Sequence, residues 1–237
     1  MATANASLNA IRGSLRAAWR AGEISRENLD RSLDALPQVR GKAAPGRALS
    51  ASQVGKLFAT AVADRNKVTG ARDAALLAVL YGLGLRRAEA AALDLADLDT
   101  EAGTLRVKGK GRRQRIAYTG GNGAAAALAA WIAVRGKEAG PLFRSVNKAG
   151  RVGTGGMSLR AIGARVAVLG ERAGLGTIGP HVLRRSFCTQ MLANGNDLAV
   201  TADLMGHARS DTTRLYDRRP EDAKRAAAAT LAVPYAG

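Results

Sequence analysis

The chain has 237 residues, with 36 basic against 19 acidic for a net charge of +17; 47% of its residues are hydrophobic and only 4% are aromatic. That is enough apolar material for one large or two small domains, and the charge excess points to a polyanion, with nucleic acid the first candidate. The lone Cys188 excludes an intrachain disulfide and argues against a cysteine metal cluster, while the sequence shows neither a bilayer-length apolar run nor a signal-peptide core, so a cytoplasmic chain without membrane association is expected.

Two helices open the chain. The first covers about Ser7 to Trp19, with Leu8, Ile11, Leu15 and Trp19 at helical spacing, and the second runs from Ser25 to Leu36 after Gly22. Residues 37–48 hold two prolines, two glycines and three basic residues, which reads as an extended basic linker. The domain boundary is placed there, giving regions 1–48 and 49–237. The second region begins with a capping-box pattern, Ser50-Ala51-Ser52-Gln53, ahead of a helix through Val54, Leu57, Phe58 and Ala61. A further helix carries Ala74, Leu77, Ala78 and Tyr81 and is broken by Gly82 and Gly84; a short one follows from Arg86 to Leu93. Residues 104–107 and 114–118 read as two strands joined by Gly109-Lys110-Gly111. The remainder is helical, at about 122–135, 157–173, 181–194, 198–205, 211–217 and 221–230, with Gly136, Gly174 and Gly195 at helix ends. The expected fold is mainly α with one small antiparallel β-sheet.

Six residues form one chemical pattern: Arg86, Lys110, His181, Arg184, His207 and Tyr216. Cationic and proton-carrying groups without a carboxylate or thiolate cluster make a poor metal site, and none is expected. They suit a phosphodiester, because positive groups hold a phosphate whose charge grows in the transition state while a phenol attacks it. Tyr216 is the nucleophile candidate; its phenol needs nearby positive charge or a histidine base to ionise. His181 and Arg184, three apart, share a helix face. Arg86 stands at a helix start, which favours anions, and Glu89 three residues on can orient its guanidinium. Lys110, between two glycines at a turn, can reach a leaving oxygen as general acid. Six basic residues and no acidic one lie within positions 106–115. Of these Arg106, Lys108, Arg112, Arg113 and Arg115, together with Arg185, are read as contacts to the DNA backbone. Arg160 and Arg165 are weighed as groove contacts against solvated charge. Each motif taken alone is compatible with an ordinary solvated or packed residue; their joint order separates the readings.

That order resembles the tyrosine recombinase family of the phage-integrase and Xer type. The resemblance rests on Gly84-Leu85-Arg86-Arg87-Ala88-Glu89, Gly109-Lys110-Gly111, His181-Val182-Leu183-Arg184, Leu204-Met205-Gly206-His207 and Tyr216, from about Leu49 onward. It implies that Tyr216 attacks a scissile phosphate to form a 3′-phosphotyrosine and free a 5′-hydroxyl. Arg86 and Arg184 would clamp the non-bridging oxygens. Lys110 would protonate the leaving oxygen, His181 would serve as general acid/base and His207 would hydrogen-bond the phosphate. No ATP, metal or other cofactor is implied. The implied partners are double-stranded DNA, three further copies of the chain in a homotetramer on two DNA sites, and an accessory DNA-binding protein, with Glu221 to Gly237 docking on a neighbour. Region 1–48 would be the last part of a helical core-binding domain, and 49–237 the catalytic domain. The competing expectations are topoisomerase-like relaxation and a truncated DNA binder that does not recombine alone. DNA binding is expected to weaken steeply with salt.

Overall fold

The structure, a computed structural model, describes residues 2–36, 46–109, 114–121 and 123–206. The expected helices at 211–217 and 221–230 and most of the 37–48 linker lie outside the described residues. The chain divides into two compact units, Met1–Gly46 and Arg47–Gly237.

The first unit is a helical hairpin of α1 (Ala2–Arg20) and α2 (Arg26–Ala35). The Ser25 hydroxyl caps α2 by accepting from Asn28 N–H at 3.2 Å. Exposed pairs Arg26–Asp30 and Glu27–Arg31 add i,i+4 support, each worth only a few tenths of a kcal/mol. The Arg26 guanidinium lies 5.3 Å from the Trp19 ring centre, and Leu29 is buried in the hairpin.

The second unit begins with α3 (Ala51–Val62), whose capping box forms as its sequence indicates. Gln53 N–H donates to Ser50 Oγ at 3.2 Å, and Ser50 N–H donates to Gln53 Oε1 at 3.0 Å. Helix α4 (Lys67–Leu77) is buried on every side from Asp73 to Leu77, the mark of a central helix. Its alanines let α3 and α6 (Ala124–Arg135) approach closely. Trp131 of α6 is fully buried in the same core cluster as Leu57, Leu76, Leu80 and Leu128, and its indole N–H donates to Leu142 O at 2.8 Å.

Charge holds the helices together as well. Asp73 is fully buried and accepts from Arg72 at 2.8 Å and from Arg165 at 2.5 Å. Asp64 accepts from Arg165 at 3.0 Å and Arg172 at 2.7 Å. Burial would raise the Asp64 carboxyl, but the hydrogen bonds and charge of Arg172, the Asn66 N–H and the Arg165 charge hold it below its usual value. Arg165, on α7 (Leu159–Arg172), is thereby neither a groove contact nor solvated charge; it ties α7 to α4.

Helix α4 runs on through a π-helical turn, Ala78–Gly82, in which Leu83 N–H reaches back to Ala78 O at 3.2 Å. Such turns re-aim the chain and recur at functional sites. After it come α5 (Arg87–Ala91), a 3₁₀ turn at Leu95–Asp97, and strands β1 (Leu98–Asp99), β2 (Thr104–Lys108) and β3 (Gln114–Tyr118). These form an antiparallel sheet in the order β1-β2-β3. Leu105, Val107 and Ala117 face inward, while Arg106, Lys108, Ile116 and Tyr118 face outward.

The single expected sheet becomes two, because β4 (Arg144–Val146) and β5 (Val152–Gly156) form a second hairpin. With only three residues in β4 and three glycines in β5, this hairpin carries no alternation to read. Helices α8 (Pro180–Ala193) and α9 (Leu198–Met205) complete the described unit. A second apolar cluster of Phe187, Cys188, Leu192 and Met205 joins them, so Cys188 serves as a small buried residue.

Candidate active site

The site is assembled at the end of the π-helical turn. Gly84 adopts φ +62°, and a Cβ there would stand 2.6 Å from Phe187 Cδ1, so backbone and packing both demand glycine. The chain then reverses into α5 with Arg86 as its N-cap. Glu89 closes this turn on itself, accepting from Arg86 N–H at 2.8 Å and from Arg86 Nη1 at 2.7 Å.

Two further arginines meet the same carboxylate. Arg115 Nη2, on β3, lies 3.0 Å from Glu89 Oε2, and Arg184 Nη1, on α8, lies 3.8 Å from it. The three guanidinium groups also bind three consecutive carbonyls at the end of α9. Arg115 Nε donates to Leu204 O at 3.0 Å, Arg184 Nη2 to Met205 O at 2.6 Å, and Arg86 Nη2 to Gly206 O at 3.1 Å. Arg184 additionally donates to Gly84 O. A helix C-terminus carries partial negative charge, and here it becomes the second anchor of an arginine cage whose first anchor is Glu89. Gly206, at φ +62°, caps the C-terminus of α9.

The cage holds three guanidinium groups on one carboxylate, so its charge is left in positive excess. Arg184 is buried, at 3% exposure, whereas the Arg86 side chain is 43% exposed and presents that charge to solvent. Burial alone would raise the Glu89 carboxyl; the Arg115 hydrogen bond, the Arg86 N–H and the arginine charges hold it below its ordinary value. Glu89 is therefore ionised at neutral pH. His181, in the first turn of α8, is pushed the other way. Desolvation and the charges of Arg185, Arg184 and Arg86 lower its pKa from 6.5, which keeps the imidazole neutral and able to accept a proton near pH 7.

The structure thus brings together Arg86, Glu89, His181 and Arg184, residues spread over almost 100 positions of sequence. Lys110, Arg112, Arg113, His207 and Tyr216 lie outside the described residues. Arg106 is exposed on the outer face of β2, while Lys108 is exposed but pairs with Asp97 at 3.0 Å. Arg185 is half-buried on α8. Arg115 differs from its basic neighbours: it turns inward, with a side chain 13% exposed. The signal for this lay in the strand pairing. Arg115 sits opposite inward-facing Val107, whereas Arg106 pairs with exposed Ile116. Among the described residues no group of three or more His, Cys, Asp or Glu is placed to hold a metal, and no helix is long and apolar enough to cross a membrane.

The chain is similar to known proteins. It is 40% identical over 149 residues to the tyrosine recombinase XerC of Shewanella amazonensis, an alignment covering 61% of this chain and 48% of that protein. It is 36% identical over 171 residues to XerC of Actinobacillus pleuropneumoniae, covering 71% and 53% respectively. The chain spans about half the length of the curated relatives it matches. Among solved structures, XerA recombinase superposes with a TM-score of 0.64 at 25% identity, over 86% of this chain and 69% of that one. The Tn1549 transposon integrase in complex with a circular intermediate DNA shares the fold, with a TM-score of 0.68 at 21% identity over 96% of this chain and 78% of that one. The phage integrase family profile matches residues 47–222, the stretch that builds the arginine cage, and the chain belongs to that family.

Proposed function

We propose that this chain is a site-specific DNA recombinase that cleaves and rejoins double-stranded DNA through a 3′-phosphotyrosine. The observation that supports this most directly is the convergence of Arg86, Arg184, Glu89 and His181 beside the end of α9, with positive charge in excess and a histidine held neutral. A phosphodiester in the transition state gains charge on its non-bridging oxygens, and pre-oriented guanidinium groups stabilise it without reorganising. Arg86 offers the accessible fork to those oxygens. Arg184, behind it, clamps the same phosphate and braces Gly84 and Met205.

Tyr216 Oη attacks phosphorus as its proton passes to His181. The bond from phosphorus to the 5′-oxygen breaks, and Lys110 delivers a proton to that oxygen, leaving a 5′-hydroxyl and a 3′-phosphotyrosine. His207, next along from the caged turn at Gly206, hydrogen-bonds the phosphate. A 5′-hydroxyl from another duplex then reverses the step. The phosphodiester is exchanged rather than hydrolysed, so no ATP is consumed. Arg106, Lys108, Arg112, Arg113 and Arg185 add backbone contacts to DNA, and four copies act on two sites. Residues 1–48 contribute a helical DNA-binding part, residues 49–237 form the catalytic domain, and the reaction takes place in the cytoplasm.

The test is covalent capture. The protein is mixed with nicked duplexes of random sequence in EDTA and denatured, and the attached DNA is recovered and sequenced, with Tyr216→Phe in parallel. Adducts that share a motif and vanish in Tyr216→Phe are the expected result. Adducts without a motif would point to topoisomerase-like relaxation, and salt-sensitive binding without any adduct would leave a DNA binder that does not cut by itself.

A further inference from the structure

Arg115 stands in a run of basic residues that reads as a phosphate-contacting hairpin, yet its guanidinium is spent inside the protein. Nη2 is 3.0 Å from Glu89 Oε2 and Nε is 3.0 Å from Leu204 O. Its Cδ would lie 3.1 Å from a Cβ on Gly206, so its stem runs directly alongside the turn that ends α9. The Glu89 oxygen it holds, Oε2, also accepts from the Arg86 N–H, and the partner oxygen Oε1 accepts from Arg86 Nη1. The orientation of the carboxylate plane therefore sets the orientation of the Arg86 guanidinium. Hydrogen bonding from Arg115 is the largest influence holding the Glu89 carboxyl low against its burial.

We propose that Arg115 is a positioning residue for DNA cleavage: it fixes the Glu89 carboxylate and the Leu204–Gly206 carbonyls in one frame, and through Glu89 aims Arg86 at the scissile phosphate. This rests on the recombinase reading above. A rigid planar fork with donors on adjacent edges spans carboxylate and carbonyl together. A lysine in its place restores the charge beside Glu89 and reaches one of the two partners, not both.

The experiment compares wild type, Arg115→Lys and Arg115→Met on duplexes that the wild type cleaves, with protein saturating. Folding is checked by thermal denaturation, DNA affinity by titration, and single-turnover adduct formation is followed across pH. In Arg115→Met a misaligned Arg86 lowers the cleavage rate on the order of 100-fold, while affinity for the same duplex is retained. The acid limb of the pH profile also moves upward, because Glu89 loses the group that holds its carboxyl low. Arg115→Lys recovers the position of that limb but only part of the rate. A loss of rate matched by a loss of affinity, with the limb unmoved, would make Arg115 a phosphate contact and overturn the proposal; wild-type cleavage by Arg115→Met would do the same. The Glu89 Cδ titration, read by carbon-13 NMR on the free protein, is independent of any reaction on DNA. A wild type that forms no adduct defeats the recombinase reading, whereas a Glu89 midpoint no higher in Arg115→Met than in wild type defeats the positioning role.

Discussion

Replacing Glu89 with glutamine removes the one negative charge shared by three arginines while keeping the side chain's shape. The carboxylate is 4% exposed and accepts from Arg86 N–H, Arg86 Nη1 and Arg115 Nη2 at 2.7 to 3.0 Å, with Arg184 Nη1 at 3.8 Å. An amide offers one acceptor oxygen where the carboxylate has two, and its NH₂ must face a guanidinium. Breaking a buried ion pair by removing one partner costs about 3–5 kcal/mol. Arg86 is 43% exposed, so its own share falls to the surface scale, roughly 0–1 kcal/mol. The contributions of Arg115 and Arg184 remain, and the expected cost for Glu89→Gln is about 3 kcal/mol at neutral pH. For a chain of this size that lowers Tm by roughly 6–12 °C. The folded Glu89 carboxyl titrates below its unfolded value, so its stabilisation is fully present above the unfolded pKa of ~4.3 and is lost as pH falls through the folded value. Urea unfolding of both proteins, followed by circular dichroism across pH, measures the gap. It should be constant at neutral pH and close on acidification. A gap under about 0.5 kcal/mol at pH 7, within the range of ordinary surface substitutions, would refute the shared-carboxylate account.

Three more outcomes are expected. Asp73→Asn strips the charge from a fully buried group held by Arg72 and Arg165 and should cost about 3 kcal/mol in thermal or urea unfolding; less than about 1 kcal/mol would place that network outside the stability of the fold. Gly84→Ala meets both φ +62° and the Phe187 ring at 2.6 Å, so a loss of about 2–3 kcal/mol is expected together with reduced adduct formation, and a neutral effect would contradict the described turn. His181 should titrate below 6.5 in the free protein by NMR and move upward on binding duplex DNA, whose phosphates offset Arg184, Arg185 and Arg86. Because the unfolded chain binds that proton more readily, His181→Asn should gain on wild type in stability as pH falls below 6.5, and a free-protein midpoint at or above 6.5 would contradict the charge environment.

The family was legible in the order of the motifs, and most of the helices in their periodicity and caps. Ser50 and Gln53 announce α3 because a capping box is closed by residues three apart, and the Gly84 turn is announced by a glycine between a helix and Arg86. Those are local interactions, written in neighbouring letters. The short β4–β5 hairpin escaped for the converse reason, since glycines in β5 erase the alternation that marks a strand.

What the chain's order determined alone was the set of groups: two arginines, a carboxylate and a histidine suited to a phosphodiester, on elements of known type. Which arginine faces solvent and which faces the core was decided only by tertiary structure. Arg106 and Arg115 look equivalent in a basic run, yet strand register turns the first outward and the second onto Glu89 and Leu204. Arg165 looks like surface charge, yet Asp64 and Asp73 claim it from 101 and 92 residues away. The reason is physical. A guanidinium is placed by whichever carboxylate or orphan carbonyl the fold brings within about 3 Å, and that distance belongs to the packed chain, not to spacing along it.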